Sequence, residues 1–162
     1  MYLDGMPPAT PAELDAMESA VDGWLATALA ESAALGDGGA MVAVDRGEPG
    51  ERRWYVRMRG EEKDFTTVWL TLGQRALHVE TYVMPAPEEN DAEFYAHLLR
   101  RNRVSRGLWF CIGDEDALYL VGQLPLALVD EANLDRVLGS AYRYVEDWFR
   151  PALRIGYASR FG

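Results

Sequence analysis

The residues of this chain whose types could do chemistry are two histidines, one cysteine and one short run of acids. His78 and Glu80 stand two apart in a stretch that reads as a strand, so they share a face and could act as a base and its orienter. No nucleophile stands at a recognisable strand-to-helix turn to complete such a site, and polar residues at alternate strand positions arise routinely. The pair reads as strand surface. His97, between Tyr95, Ala96 and Arg100 on a charged helix, reads as surface too. Cys111 sits in the apolar run Leu108-Trp109-Phe110-Cys111-Ile112 with no histidine nearby, and is expected to be a small buried hydrophobe. A single cysteine forms no internal disulfide, and no Cys/His zinc spacing occurs.

The acidic run Asp114-Glu115-Asp116 lacks the alternate ligand positions and closing glutamate of a calcium loop, so it reads as a hairpin turn. Gly36-Asp37-Gly38-Gly39 follows a helix rather than a strand, and no Gly-Lys-Ser/Thr accompanies it, so it is no phosphate loop. Gly-x-Ser-x-Gly and His-Glu-x-x-His are missing. The expectation is a protein that is not an enzyme, with no catalytic residue, cofactor or metal site.

The elements that position these residues are legible from spacing. Met1 to Ala9 reads as a flexible tail, and residues 10–162 as one domain. Thr10, Pro11 and Glu13 form a helix start with a capping box. Leu14, Met17, Val21, Trp24, Leu25 and Ala28 follow at helical intervals, and the Gly36–Gly39 run stops the helix. Met41 to Val44 is either a short strand or a packed loop. Arg52–Arg59, Phe65–Leu72 and Ala76–Met84 read as strands, joined by links so short that pairing must be antiparallel. A helix from near Asn90 carries Phe94, Tyr95, Leu98 and Leu99, and Arg100, Arg101, Arg103 and Arg106 close it in keeping with the helix dipole. Strands at Gly107–Ile112 and Ala117–Gln123 come next. A helix from near Asp130 places Leu134, Leu138, Ala141, Val145 and Trp148 on one stripe. Pro151 is expected to end it, and Leu153 to Phe161 to dock back as a tail. The fold class is therefore α+β: an antiparallel five-stranded sheet with helices on one face, in the order α-βββ-α-ββ-α.

Alternation sorts the strand residues into two sets. Trp54, Val56, Met58, Val68, Leu70, Leu72, Leu77, Val79 and Val83 form the core set, joined by Leu108, Phe110, Ile112, Leu118 and Leu120. The other face collects Tyr55, Arg57, Arg59, Trp69, His78, Glu80 and Tyr82, with Trp109 and Tyr119 as further members. A sheet face left to water is normally polar, and this one is rich in the residue types of binding hot spots. Several readings stand beside each other: arginines lying over rings on a solvated face, a face partly covered by a helix or the C-terminal tail, or a surface for a polypeptide segment or a second copy, with an exposed strand edge adding main-chain hydrogen bonds. Tyr55, Arg57, Trp69, Glu80 and Tyr82 are the candidate partner contacts. A small-molecule sensor, with Trp24 or Trp148 lining a pocket between helices and sheet, is the alternative.

Net charge is −10, and no Lys or Arg precedes Arg46, whereas eight acids do. Such acidity would suit a basic partner and argues against nucleic acid. No segment reads as a leader or a membrane span, so the expected location is cytoplasmic.

Several segments resemble the actinobacterial branch of the YbjN family. These are Trp54-Tyr55-Val56-Arg57, Gly60-Glu61-Glu62-Lys63-Asp64, Tyr82-Val83-Met84-Pro85-Ala86-Pro87-Glu88-Glu89-Asn90, Ala117-Leu118-Tyr119-Leu120-Val121-Gly122 and Phe149-Arg150-Pro151-Ala152-Leu153-Arg154-Ile155-Gly156. The resemblance covers roughly Arg52 to Phe161, and the acidic first helix matches only in kind. It implies the fold of type III secretion chaperones and an adaptor or chaperone-like role, grouped with regulators of sensory transduction. It carries over no catalytic residue.

Overall fold

A computed structural model describes residues 5–161. Of the expected tail, Met1 to Asp4 lie outside the described residues. Next to them, the Arg75 Nε–H donates to Met6 O and the Ala9 N–H to Gln74 O, which ties this segment to a turn of the sheet.

The elements are α1 (Pro11–Ala34), β1 (Met41–Arg46), β2 (Arg53–Arg59), β3 (Phe65–Leu72), β4 (Ala76–Met84), α2 (Asp91–Asn102), β5 (Trp109–Ile112), β6 (Leu118–Pro125), α3 (Glu131–Gly156) and the four-residue α4 (Ala158–Phe161). The strands form one antiparallel sheet in the order β1-β2-β3-β4-β6-β5. Six strands replace the expected five, because Met41–Arg46 pairs along β2. Its run Met41-Val42-Ala43-Val44 shows no alternation to read, since a bulge between Met41 and Ala43 breaks the period. The Ser32 hydroxyl at the end of α1 donates to Met41 O and anchors the strand there.

α1 begins as its capping box dictates: Glu13 N–H donates to Thr10 Oγ1, and Thr10 N–H to Glu13 Oε2. Its acids hold it to the sheet. Arg46 reaches Glu18 and Asp22, and Arg52 reaches Asp15. The Trp54 indole N–H also donates to Asp22 Oδ1 at 2.7 Å, although Trp54 itself is fully buried.

The core lies between the helices and one sheet face. It contains the whole expected set from Trp54 to Leu120 except Ile112. Ile112 has the core-side parity but is 56% exposed, because β5 is the edge strand and α2 leaves its end uncovered. Cys111 corrects a second expectation. It stands opposite Tyr119 on the face away from the helices, half-buried rather than in the core.

α3 does not stop at Pro151. It runs on to Gly156, because Ala152, buried, continues the stripe of Leu138, Ala141, Val145 and Trp148. Packing of that extension outweighs the interior-proline penalty of roughly 3 kcal/mol. The docking expected of the C-terminal residues occurs on the segment ahead of α2. Tyr157 Oη–H donates to Ala86 O, the N–H groups of Glu88 and Glu89 donate to Gly156 O, and Asn90 Nδ2 donates to Ile155 O.

Candidate functional site

The helices share one side of the sheet, and the other side lies open. Cross-strand register orders it into rows. Asp45, Tyr55, Trp69, Glu80, Val121 and Trp109 form one row across all six strands. Arg53, Thr71, His78 and Gln123 form the row on one side of it. On the other side, Ala43, Arg57 and Thr67 are level, as are Tyr82, Tyr119 and Cys111. The five candidate contacts Tyr55, Arg57, Trp69, Glu80 and Tyr82 therefore share one surface, with His78 beside them.

Trp69 and Tyr82 are each 42% exposed and Trp109 is 47% exposed. Tyr55 meets Trp69 edge-on, with ring centroids 5.4 Å apart, and Tyr82 meets Tyr119 at 5.7 Å. Such edge-to-face pairs suit the ring quadrupoles and hold the rings upright. The arginines use the rings as well: the Arg57 guanidinium lies 4.4 Å over Phe65, and that of Arg53 5.9 Å over Trp69. The arrangement of arginines over rings expected for a solvated face is thus present, yet Trp69, Tyr82 and Trp109 keep open surface beyond it.

Sequence sorting missed Phe65, Arg53 and Lys63. The first two were within reach of it, since Phe65-Thr67-Trp69 and Arg53-Tyr55-Arg57 are plain alternations. Lys63 belongs to the β2–β3 turn, where no period applies. Its ammonium donates to Tyr82 O at 3.0 Å and lies 4.9 Å over the Tyr82 ring and 5.8 Å from that of Phe149. These contacts favour the charged form, but burial outweighs them and lowers its pKa to about 8.

Burial governs ionisation on the face. Burial pushes the Cys111 thiol up, and the Glu80 carboxylate adds to the shift, so the nucleophilic thiolate is disfavoured. The Tyr82 and Tyr119 phenols are also raised, by burial first and by neighbouring negative groups after it. His78 lies against Gly73 in the β3–β4 turn, two rungs from Tyr82. His97 is half-buried on α2 rather than on open surface, its Nε2 has no partner, and burial followed by Arg101 lowers its pKa. Among the described residues, no group of three or more His, Cys, Asp or Glu could hold a metal ion.

Grooves also occur on the helix side. One of about 530 Å³ is lined by Leu14, Met17, Trp24, Leu126 and Val129, between α1 and the segment ahead of α3. Trp148 instead stacks on Tyr144 at 4.4 Å and packs against the core. The outer edge of β5 is closed at Phe110. Asn102 Oδ1 accepts the Phe110 N–H at 2.7 Å, and Asn102 Nδ2 donates to Phe110 O, so one side chain takes the place of a neighbouring strand.

The family model YbjN, described as "Putative bacterial sensory transduction regulator", matches residues 26–154. The chain belongs to the YbjN family. The match begins inside α1 and reaches almost to the end of α3, so it takes in the whole sheet. Among relatives of this YbjN protein, Uncharacterized protein Rv0487 of Mycobacterium tuberculosis (strain ATCC 25618 / H37Rv) is 36% identical over 104 residues, 64% of this chain and 57% of that protein. The chain thus spans little more than half the length of that relative. Among solved structures, a chain of the ExsC-ExsE complex superposes with a TM-score of 0.50 at 20% identity, over 76% of this chain and 90% of that one. The Yersinia pestis type III secretion chaperone SycH, in complex with a fragment of YscM2, gives 0.44 at 17% identity, over 74% and 94%. The fold is type III secretion chaperone-like, as the resemblance implied, with helices on one side of an antiparallel sheet. No described helix is long and apolar enough to cross a membrane.

Proposed function

We propose that this YbjN protein is a non-enzymatic adaptor that binds a polypeptide, a partner segment or a second copy of itself, through the open face of its sheet. The observation that carries this reading is the aromatic row. Tyr55, Trp69 and Trp109 stand across the sheet with Tyr82 beside them, and three of the four are more than two-fifths exposed while the helices cover only the opposite face. Large rings that keep solvent contact in a sheet with a complete core elsewhere contribute little to folding and offer much to association.

Tyr55, Arg57, Trp69, Glu80 and Tyr82 are the contacts of the proposed surface. Trp54, Val68, Leu77, Phe110, Leu120 and Leu138 are its scaffold. The precedent of the ExsC-ExsE complex, in which a chain of this fold is found in a complex, supports the reading. The Asn102 clamp on Phe110 directs attention to the face rather than to the β5 edge.

The test pairs Trp69→Ala/Arg57→Glu with wild type, in sedimentation analysis and in capture of partners with crosslinking. Loss of self-association or of a specific captured polypeptide in a folded double variant is the expected outcome. Unchanged behaviour of the variant in both assays would contradict the proposal.

A second reading rests on the groove beside Trp24, whose lining is largely apolar. A small ligand there would make the protein a sensor. Saturable thermal stabilisation by one metabolite, abolished by Trp24→Ala, would favour it over the adaptor.

A further inference from the structure

Three arginines clustered among the rings bear on the charge of the partner that the open face would take. Arg53, Arg57 and Arg59 stand on the same face of β2, and Arg57 and Arg59 are exposed. Neighbours two apart on a strand are separated by about 6.5–7 Å. Five other arginines form ion pairs: Arg46 with Glu18 and Asp22, Arg52 with Asp15, Arg143 with Asp147, Arg150 with Glu62 and Arg160 with Glu88. The remaining seven, among them the Arg100-Arg101-Arg103-Arg106 cluster at the end of α2, form none among the described residues, so what sets Arg53, Arg57 and Arg59 apart is their place together among the rings of the open face. Among the described residues, no carboxylate forms an ion pair with Arg53, Arg57 or Arg59. The chain carries 26 acidic residues and a net charge of −10, yet these three cations remain without one.

Their geometry suits them to carboxylates. Arg57 stacks on Phe65, and Arg53 lies over Trp69 with its Nε–H on Thr71 Oγ1. A guanidinium laid on a ring uses its face for the ring and keeps in-plane N–H donors for a carboxylate. The acids on the face are Asp45, in the row of Tyr55, and Glu80, in the row of Trp69, with Asp114 and Glu115 of the β5–β6 turn close enough to act on Tyr119 at the far end of the sheet from β2. None of these forms an ion pair with the three arginines of β2. The acids of α1, which dominate the first quarter of the sequence, lie on the helix side, where Arg46 and Arg52 engage them.

We propose that the open face recognises an acidic polypeptide segment. Arg53, Arg57 and Arg59 receive its carboxylates, and Tyr55 and Trp69 pack against its apolar side chains. This rests on the reading of the face as a protein-binding surface and gives that surface a partner class. It also reverses the expectation from net charge, which pointed to a basic partner. A single-stranded nucleic acid would offer anions and stackable rings too. Glu80 sits in the middle of the aromatic row, where a phosphate backbone crossing the rings would meet it. A polymer with a charge at every residue is also repelled more strongly by the acidic remainder of the molecule than a short mixed segment is.

The test is fluorescence anisotropy with three labelled probes: a short peptide alternating Glu with Leu and Tyr, the same peptide with Lys for every Glu, and an oligothymidine of equal length. Wild type, Trp69→Ala and Arg53→Glu/Arg57→Glu are compared after circular dichroism confirms that each is folded. The Glu peptide is expected to bind about tenfold or more tightly than the Lys peptide at low salt, with the gap narrowing as salt rises. The charge-reversed variant should invert that preference, and Trp69→Ala should weaken both peptides. Equal binding of the two peptides, each still weakened by Trp69→Ala, would overturn the acidic-partner inference and leave the binding-face reading standing. Absence of peptide binding, or binding indifferent to Trp69, would overturn both. Oligothymidine binding tighter than the Glu peptide would overturn the inference in favour of nucleic acid.

Discussion

Lys63 is the only lysine of the chain, among sixteen basic residues, and its burial has a consequence for stability. Its pKa of about 8 in the folded state lies below that of a lysine in an unfolded chain, near 10.4. Between those values the unfolded state binds more protons, so the Lys63 contribution to stability rises with pH from about 8 to 10, against an opposing contribution from the raised Cys111 thiol above about 8.5. Above about 10 the raised phenols of Tyr82, Tyr95, Tyr119, Tyr142 and Tyr157 act in the opposite sense, because the unfolded chain loses those protons first. In urea titrations across this range, the stability of wild type relative to Lys63→Met should increase with pH between about 8 and 10, while the fall above about 10 should be the same in both. Asp22 gives a second test at this scale. It accepts from the buried Trp54 indole as well as from Arg46, so Asp22→Ala should cost about 1–3 kcal/mol in urea unfolding, whereas Asp15→Ala, an exposed pair, should cost under about 1. Neither feature could be read from sequence. Trp54 and Asp22 are 32 positions apart, and the ring contacts of Lys63 come from β4 and α3.

Between elements, one buried acid links the sheet to the last helix. Glu146 on α3 accepts the backbone N–H groups of Glu61 and Glu62 in the β2–β3 turn, and a side chain at Gly60 would collide with Glu146 Oε1 and Lys63 O. Gly60→Ala should therefore destabilise by about 1–3 kcal/mol, measured by thermal or urea unfolding, as overpacking at a closed site does. The β5 edge supplies another prediction. Asn102→Ala should leave the outward N–H of Phe110 without its partner and speed its hydrogen exchange relative to Leu120 on the inner strand; equal protection of Phe110 in both proteins would show that the clamp does not hold the edge. Strand alternation and the Thr10 capping box were legible because they are local and periodic. β1 was ambiguous because its bulge breaks the period, and the end of α3 was misplaced because Pro151 is a local stop signal that tertiary packing of Ala152 overrides. Of the candidate contacts, all five fell on one face because a strand assigns faces by parity alone. Phe65 and Arg53 escaped because they lie at the ends of their strands.

At the scale of the molecule, the open face stands out against the charge of the rest. In a chain of net charge −10, acids of α1 and α3 engage Arg46, Arg52 and Arg143, while the opposite side of the sheet carries Arg53, Arg57 and Arg59 without an ion pair beside exposed rings. Family membership and fold fix the scaffold, while the surface chemistry carries the functional reading. The most direct test is crosslinking capture from native extract with wild type beside the folded Trp69→Ala/Arg57→Glu double variant, mapping crosslinks by mass spectrometry. The adaptor account predicts a specific polypeptide, this chain or another, crosslinked around Tyr55, Trp69 and Tyr82 in wild type and lost in the variant. A partner retained in full by the variant, with crosslinks mapping to the helix side, would contradict it.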